Sequence, residues 1–237
     1  MNFLLHRHLA ERELSSPVAG VGAMLPDLWR LAGRRLREPA AADGEDRGVQ
    51  AELSRGLAHH FEADRWFHTS PVFVQGEEET RRAFFELRPR PAKLPMFAHV
   101  SWELCLDGVL VVREGLDAVL GGLRRAVAEV GREGLDQLAA AQGVLPAADS
   151  SARIRFDARM DRILSGLDDG RWIDGYRTGA GLCARLGGVR AQLGLPALSG
   201  EQVAALAVVL DVRLGHAVQA LEQLFVERAA AVSQSDG

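Results

Sequence analysis

The sequence predicts an all-α protein, and three observations support that prediction. Two long segments, residues 114–142 and 199–231, place apolar residues at intervals of three and four with charged residues between them, which is the period of an amphipathic helix. Clear alternation of apolar and polar residues, the pattern of a half-exposed strand, is missing; the nearest candidate, VLVV at 109–112, is interpreted as the end of a buried helix. Breaks rich in glycine and proline are few, as expected for long helices.

The breaks divide the chain into helical segments. We predict four loops where Gly, Pro and polar residues cluster: 38–49, 88–93, 143–150 and 194–200. Ser199 is predicted to cap the last long helix, because a serine side chain can accept a hydrogen bond from the first turn. The second half is as apolar as the first, so helices 114–231 are expected to complete the core of a single domain over residues 1–232. The candidate site lies within residues 1–112, and residues 233–237 are expected to be disordered.

Composition and charge argue against several function classes. The 237 residues carry a formal net charge of −4, whereas a general nucleic-acid-binding protein is basic. No run of eighteen apolar residues occurs, and the apolar start of the chain meets histidine and arginine at once. We therefore expect no transmembrane helix, no signal peptide and no membrane partner. Cys105 and Cys183 lie in apolar segments and are predicted to be buried and reduced, which favours a cytoplasmic protein.

Histidines and carboxylates at helical spacing form the main candidate site. His60, Asp64 and His68 follow one another at intervals of four residues, and His99 and Glu103 repeat that spacing. Because residues four apart lie on the same side of a helix, two helices could each offer a nitrogen and an oxygen ligand to one divalent ion. Imidazole and carboxylate together suit Mn²⁺, Fe²⁺ or Zn²⁺ rather than Ca²⁺. The alternative is that each pair is a solvated interaction worth roughly 0.3 kcal/mol.

Three more residues of the first helices could join this site. His6 and His8 lie near the N-terminus, and Asp27 follows Pro26 between large apolar residues. An unpaired carboxylate is costly to bury, so Asp27 has two interpretations. It is either a paired or ligating group, or it caps a helix that continues through Arg37.

The remaining polar residues favour structural roles. His59 points about 100° away from its neighbour His60 on a helix, so it is expected near the site or on the surface. His216 is interpreted as structural, and Asp107 either extends a polar line or ends its helix at Gly108. No phosphate-binding glycine loop, nucleophile elbow or zinc-protease motif occurs in the sequence.

Several segments match, in order, the motifs of one known family. MNFLLHRHLA is similar to that family's MNFLAHLHLA and carries His6 and His8. GAMLPDLWRL is similar to GNFIADFVKG, with Asp27 on the family's aspartate and Arg30 where the family has lysine. GLAHHFEADRWFHTSP is similar to GILLHRKIDSFTDSHP, which places His60 on the family's histidine and Asp64 on its first aspartate. RWIDGYRTGAGLCARLGGVR and LEQLFVERAA continue the order in the second half. The chain thus resembles the acyl carrier protein phosphodiesterase family, an all-α group related in architecture to HD-type metal phosphohydrolases.

The departures from the family pattern fall on the metal-ligand positions. His68 stands at the family's second aspartate and Ser70 at its following histidine. The family's D-x-x-x-D-H helix has His99 and Glu103 at its aspartates and Leu104 at its histidine. Most of the replacements can themselves bind metal. The resemblance therefore implies that a metal is kept with altered coordination and that the substrate can differ.

The resemblance implies hydrolysis of the phosphodiester that joins 4′-phosphopantetheine to a serine of acyl carrier protein, or of a small phosphodiester. It implies metal ligands or near-ligands at His6, Asp27, His60, Asp64, His99 and Glu103, with Mn²⁺ favoured over Fe²⁺ or Zn²⁺. His68 and Asp64 are expected to serve catalysis, His68 as general acid or base or as an extra ligand. Arg30, with Arg34, Arg35 and Arg37, is expected to bind phosphate or an acidic carrier protein; alternatively these arginines are the solvated face of a helix.

Two other functions stay open at this point. The chain could be a relative without catalysis that binds an acyl carrier protein or another partner through its helices. It could also be a different metal-dependent lyase or hydrolase that acts on a small phosphorylated metabolite.

Overall fold

A computed structural model describes residues 2–37 and 48–235, and over those residues it confirms the all-α prediction: no strand is present in them. The α-helices are α1 Phe3–Leu14, α2 Pro17–Leu31, α3 Val49–Phe67, α4 Pro71–Glu86, α5 Ala98–Glu114, α6 Leu116–Ala141, α7 Ser151–Asp169, α8 Arg171–Asp174, α9 Gly179–Gln192 and α10 Gly200–Ser235. Two short 3-10 helices, Leu94–Phe97 and Gly175–Arg177, precede α5 and α9.

The predicted loops at 88–93 and 143–150 fall between helices, and the one at 194–200 ends where α10 begins. Most of the predicted loop at 38–49 lies outside the described residues.

Three further predictions concern the Ser199 cap, residues 109–112 and the C-terminal tail. Ser199 caps α10: its Oγ accepts a hydrogen bond from Gln202 N at 3.2 Å, and its own N donates to Gln202 Oε1 at 3.0 Å. This reciprocal pair is a capping box. Residues 109–112 lie inside α5, as predicted. α10 extends to Ser235, and the rest of the predicted tail lies outside the described residues.

The helices form two compact units. The N-terminal unit comprises Phe3–Arg65 and Leu116–Trp172, and the C-terminal unit comprises Asn2, Trp66–Gly115 and the residues from Ile173 onward. Each unit joins a segment from the first half of the chain to one from the second half. Residues after 114 therefore contribute to both cores, and the single domain over 1–232 stays a prediction.

In the N-terminal unit, α2 lies at the centre and packs against α1, α6 and α7. It begins at Pro17 because the Oγ of Ser16 accepts a hydrogen bond from Ala19 N at 3.0 Å, and proline is favoured in the first helical turn. α3 crosses α2 at a pair of glycines. A Cβ at Gly22 would overlap the carbonyl oxygen of Leu53, and one at Gly56 would overlap that of Ala19. The two backbones are therefore in direct contact, which only glycine permits at these positions.

In the C-terminal unit, α5 is the buried element against which α4, α9 and α10 pack. The ring of Trp102 lies on Gly76 of α4, where a Cβ would overlap it. Arg213 of α10 is buried and donates to the Oγ1 of Thr80 at 3.1 Å and to the carbonyl of Gly76 at 3.2 Å. Its guanidinium also lies 4.9 Å from the Trp102 ring centre. One arginine thus ties α10 to the face of α4 that meets α5.

Two helical segments are long and apolar enough to cross a membrane: Leu94–Glu114, which is mostly buried, and Gly200–Ser233, which is mostly exposed. The sequence had predicted no transmembrane helix. Length and composition alone are weak evidence of a membrane span, because core helices share both.

Replacing Gly56 by alanine is expected to destabilise the protein by about 2 kcal/mol or more, because the added methyl group meets a backbone carbonyl that cannot move independently. Gly121→Ala is the matched control within the same unit, since its Cβ meets only the end of the Arg125 side chain at 3.4 Å. That variant is expected to gain about 0.5–1 kcal/mol from helix propensity. Chemical denaturation measures both, and equal stability of the two variants would contradict the close crossing.

Both cysteines are expected to resist alkylation in the folded protein. They are reduced and buried, and burial raises the pKa of Cys105 to about 12 and that of Cys183 to about 11. At pH 8 almost no reactive thiolate is present. Iodoacetamide followed by mass measurement should show no adduct on native protein and two adducts in denaturant; rapid labelling of native protein would show that one thiol is accessible.

Candidate functional site

The first group of possible ligands lies in the N-terminal unit and is called here the His60 group: His6, His60 and Asp64. α1 supplies His6, and α3 supplies the other two from successive turns. Each residue offers one ligand atom, and the three atoms lie within 4.8 Å of one another. The Nε2 of His6 lies 3.7 Å from the Oδ1 of Asp64, and the two imidazole centres are 4.0 Å apart. Both imidazoles are buried, whereas Asp64 is partly exposed.

His60 is held in the form that binds metal. Its Nδ1 lies 2.8 Å from the carbonyl oxygen of Ala23 on α2. A carbonyl oxygen can only accept a hydrogen bond, so Nδ1 donates and Nε2 keeps its lone pair. Burial is the main reason why the pKa of His60 is well below the usual value, with the nearby His6 next, and together they outweigh Asp64 and Ala23. His60 is therefore neutral at pH 7, with the hydrogen-bonded ring nitrogen that metal-binding histidines usually have.

The second group lies in the C-terminal unit and is called the His99 group: His68, His99 and Glu103. α5 supplies His99 and Glu103 from successive turns, and His68 follows the last residue of α3. Their ligand atoms also lie within 4.8 Å of one another. The Oε1 of Glu103 is 3.7 Å from His68 Nε2 and 3.4 Å from His99 Nε2. The carboxylate side chain is 4% exposed, while the imidazoles are 32% and 37% exposed, so the group opens on its histidine side.

Glu77 orients His99 from the far side. Its Oε2 lies 3.0 Å from His99 Nδ1, which donates the hydrogen bond and leaves Nε2 directed at Glu103. The pKa of His99 is raised, chiefly by Glu103 and also by Glu77, against the effect of burial. The pKa of Glu103 is well below its usual value although burial would raise it, and the imidazoles of His68 and His99 contribute to the lowering. Glu103 is therefore an ionised carboxylate in a buried position.

The distances in both groups are longer than hydrogen bonds and suit a shared ion. An N–H···O hydrogen bond joins atoms about 2.7–3.2 Å apart. Two ligands of one tetrahedral ion, with bonds of about 2.0–2.2 Å, stand ~3.3–3.6 Å apart. The separation of His99 Nε2 from Glu103 is 3.4 Å, inside that range, and those of His6 from Asp64 and of His68 from Glu103 are 3.7 Å, just above it. Two histidines and one carboxylate are a donor set that divalent transition metals take, so both groups fit a metal ion.

A third cluster, Glu13, His59 and Glu62, lies in the N-terminal unit. The Nε2 of His59 is 2.9 Å from the Oε2 of Glu13. His59 thus faces Glu13 rather than the His60 group, which agrees with its predicted orientation away from His60. Both glutamates are exposed residues, and exposed acidic groups are common without an ion, so this cluster carries no functional argument.

Five of the six predicted metal ligands belong to one or the other of these two groups. His6, His60 and Asp64 are together, His99 and Glu103 are together with His68, and Asp27 belongs to neither group. Each unit thus holds one donor set with two histidines and one carboxylate. Glu77 was missed, because it is the first of three consecutive glutamates and nothing in the sequence distinguishes it.

The interpretation of Asp27 as a helix cap is wrong. Ser16 caps α2, Asp27 lies buried near the other end of that helix, and α2 ends at Leu31 rather than continuing through Arg37. Asp27 lies one turn beyond Ala23 on the same side of α2, which is the side that contacts His60.

The predicted phosphate-binding arginines have different surroundings. Arg30 is exposed and follows Ala23 by seven residues, so it lies on the same side of α2. Arg34 donates from Nε to the carbonyl oxygen of Val144 at 2.9 Å, which gives it a structural contact. Arg35 and Arg37 follow the end of α2.

The structure also bears on the interpretations of Asp107 and His216. Asp107 does not end its helix at Gly108, because α5 continues to Glu114. Gly108 is required by packing instead, since a Cβ there would overlap the carbonyl oxygen of Tyr176. His216 lies 2.7 Å from the Nη1 of the buried Arg213, which agrees with a structural role.

No protein-family model matches the chain, and no curated protein or solved structure is significantly similar to it. The resemblance to acyl carrier protein phosphodiesterases therefore rests on the matched segments alone.

The lowered pKa of His60 predicts acid sensitivity of the metal-free protein. Below its usual value of about 6.5 the unfolded chain binds a proton at this position that the folded chain does not, so stability falls as pH decreases. Unfolding free energies in chelator between pH 7 and pH 5 should fall less steeply for His60→Gln, by up to about 1.4 kcal/mol per pH unit. Identical slopes for wild type and His60→Gln would contradict the assignment.

Proposed function

We propose that this protein is a metal-dependent phosphodiester hydrolase related to the acyl carrier protein phosphodiesterases, with an HD-type helical architecture. One observation carries the proposal. Three positions at which the sequence departs from the family's aspartates, His68, His99 and Glu103, gather within 4.8 Å of one another. Unrelated surface replacements would have no reason to converge on one donor set. Their convergence supports a metal site that was kept while its ligands changed.

The His60 group and the His99 group are the two places where an ion would be held. Imidazole and carboxylate donors favour Mn²⁺, with Fe²⁺ or Zn²⁺ as alternatives. A divalent ion supplies Lewis-acid stabilisation of phosphoryl oxygens and activates water near pH 7. Asp27 is a candidate further ligand, because it shares the side of α2 that contacts His60.

The side chains of the two groups would have different roles, in cation binding or in proton transfer. The neutral His60 and the buried, ionised Glu103 are ready to bind cations without first losing a proton. His68 and Asp64 are partly exposed, so they can reach a bound substrate and transfer a proton. Arg30 is exposed on the same side of α2 as Ala23 and could donate two parallel hydrogen bonds to a phosphate.

The substrate class follows from the matched segments. They support a phosphodiester of the kind that links 4′-phosphopantetheine to a carrier-protein serine, in a cytoplasmic setting. The loss of the family's histidines at Ser70 and Leu104 favours a changed substrate. Ser70 is no longer available as a site residue, because it caps α4 and donates to the Oε2 of Glu227 at 2.5 Å.

Removing one carboxylate is expected to remove bound metal and turnover together. Glu103→Gln keeps the shape of the side chain and deletes the charge, so we expect at least about tenfold weaker metal binding and about 100-fold slower hydrolysis of a chromogenic phosphodiester. Asp64→Asn tests the His60 group in the same way. Glu129→Gln, an exposed glutamate outside both groups, is the control. Metal is measured by plasma mass spectrometry after purification and after loading with Mn²⁺, Fe²⁺ or Zn²⁺.

The outcomes separate the candidate functions. Unchanged metal content in both Glu103→Gln and Asp64→Asn would contradict the proposal. Bound metal with conversion of holo-acyl carrier protein to its apo form, followed by mass, identifies the family substrate. Bound metal and phosphodiester turnover without that conversion indicates a small substrate. Absence of metal with carrier-protein binding that resists chelator favours a relative without catalysis.

A further inference from the structure

The segment that follows α4 carries positive charge that no described carboxylate neutralises. Arg88, Arg90 and Lys93 are exposed, and none of them forms an ion pair within the described ranges 2–37 and 48–235. Exposed arginines elsewhere are of both kinds: Arg171 pairs with Asp169, whereas Arg55 and Arg155 form no ion pair within those ranges.

The two arginines are held next to each other. Arg88 Nη1 donates to the carbonyl oxygens of Phe85 at 2.9 Å and Leu87 at 2.7 Å. Arg90 Nη1 donates to the same Phe85 oxygen at 3.3 Å. Two like charges thus share one acceptor at the C-terminal end of α4, where the helix dipole is negative. Only one nitrogen of each guanidinium is used, so the remaining donors of both forks can bind a carboxylate in parallel.

Large apolar side chains are exposed beside these charges. Phe85 is 53% exposed and Met96 is 73% exposed, and the guanidinium of Arg90 lies 4.1 Å from the Phe85 ring centre. Met96 belongs to the 3-10 helix Leu94–Phe97, which packs against α4. Arginine, aromatic residues and methionine are the residues enriched in protein–protein interfaces. A free phosphate would need the arginines only, whereas a protein would use the apolar side chains as well.

We propose that Phe85, Arg88, Arg90 and Met96, named the α4-end surface, form the docking site for an acidic carrier protein. This inference rests on the proposed function for the identity of the partner. The chain has a net charge of −4, so an acidic partner is attracted to locally positive places, and the exposed Phe85 and Met96 distinguish this one. α4 also carries Glu77, the residue that orients His99, and Phe85 follows Glu77 by ~12 Å along the helix axis. A partner docked here is within reach of the His99 group.

The test measures binding separately from turnover, with purified holo-acyl carrier protein as the probe and calorimetry at low and physiological ionic strength. Arg88→Gln combined with Arg90→Gln is expected to weaken binding about tenfold or more, and Phe85→Ser about tenfold. Arg81→Gln combined with Arg82→Gln is the matched control. Those residues lie on the same helix and carry the same charge, but both pair with Glu78, so we expect less than about a threefold change. Thermal unfolding checks that each variant is folded.

Binding by the Glu103→Gln variant distinguishes this inference from the proposed function. Unchanged affinity with lost turnover supports the docking site independently of catalysis, and docking without any turnover in wild type would show that the hydrolase proposal alone fails. Absence of carrier-protein binding would overturn the docking site, as would equal losses in the two double-arginine variants. Two further results would overturn the carrier protein as the partner. Phosphate binding that needs Arg88 and Arg90 but is unaffected by Phe85→Ser would indicate a phosphate site. Binding to phosphatidylserine vesicles but not to the carrier protein would indicate a membrane surface.

Discussion

The contact between α2 and α3 is the constraint on which the first donor group depends. Gly22 and Gly56 remove the side chains that would separate the two helices, so backbone meets backbone at the crossing. Gly56 is one turn before His60, and Gly22 is the residue before Ala23. The crossing therefore brings the Nδ1 of His60 to the carbonyl oxygen of Ala23 at 2.8 Å, which decides where the ring proton lies. A larger residue at Gly22 or Gly56 would therefore displace His60 together with α3.

The second donor group depends on the same kind of contact, reinforced by a buried charge. Gly76 lets α4 lie against the ring of Trp102 on α5, and Arg213 donates to the carbonyl of Gly76 at 3.2 Å. Glu77 is the next residue. Its hydrogen bond to His99 is therefore made from a backbone position that two other helices already fix. An orienting group of this kind limits how far a ligand can turn, which is how metal sites keep their geometry.

The sequence predicted what local physics determines. The periods of three and four identify the helices, the Ser199 capping box marks the start of α10, and the spacing of four residues puts His60 with Asp64 and His99 with Glu103. What the sequence could not supply is which helices meet. One of the two interpretations put Asp27 at a helix start because aspartate is common there, yet Ser16 and Pro17 form the real start and Asp27 lies inside the helix. Gly108 was read as a possible helix end, although its role is to admit the carbonyl oxygen of Tyr176.

The two donor groups share a composition but differ in how their charges are set, and that difference bears on what each can do. In the His60 group, burial keeps an imidazole neutral, and the only carboxylate is partly exposed. In the His99 group, the carboxylate is buried and ionised, and the imidazoles are partly exposed. A buried carboxylate retains a cation strongly because water competes little with it, whereas accessible imidazoles can meet a substrate and exchange protons with it. The His99 group therefore combines a buried carboxylate, which would hold a cation, with accessible imidazoles. If the proposed function holds, the replaced residues are those of the accessible His99 group, which would meet a substrate, whereas His60 and Asp64 lie at positions that match the family segment.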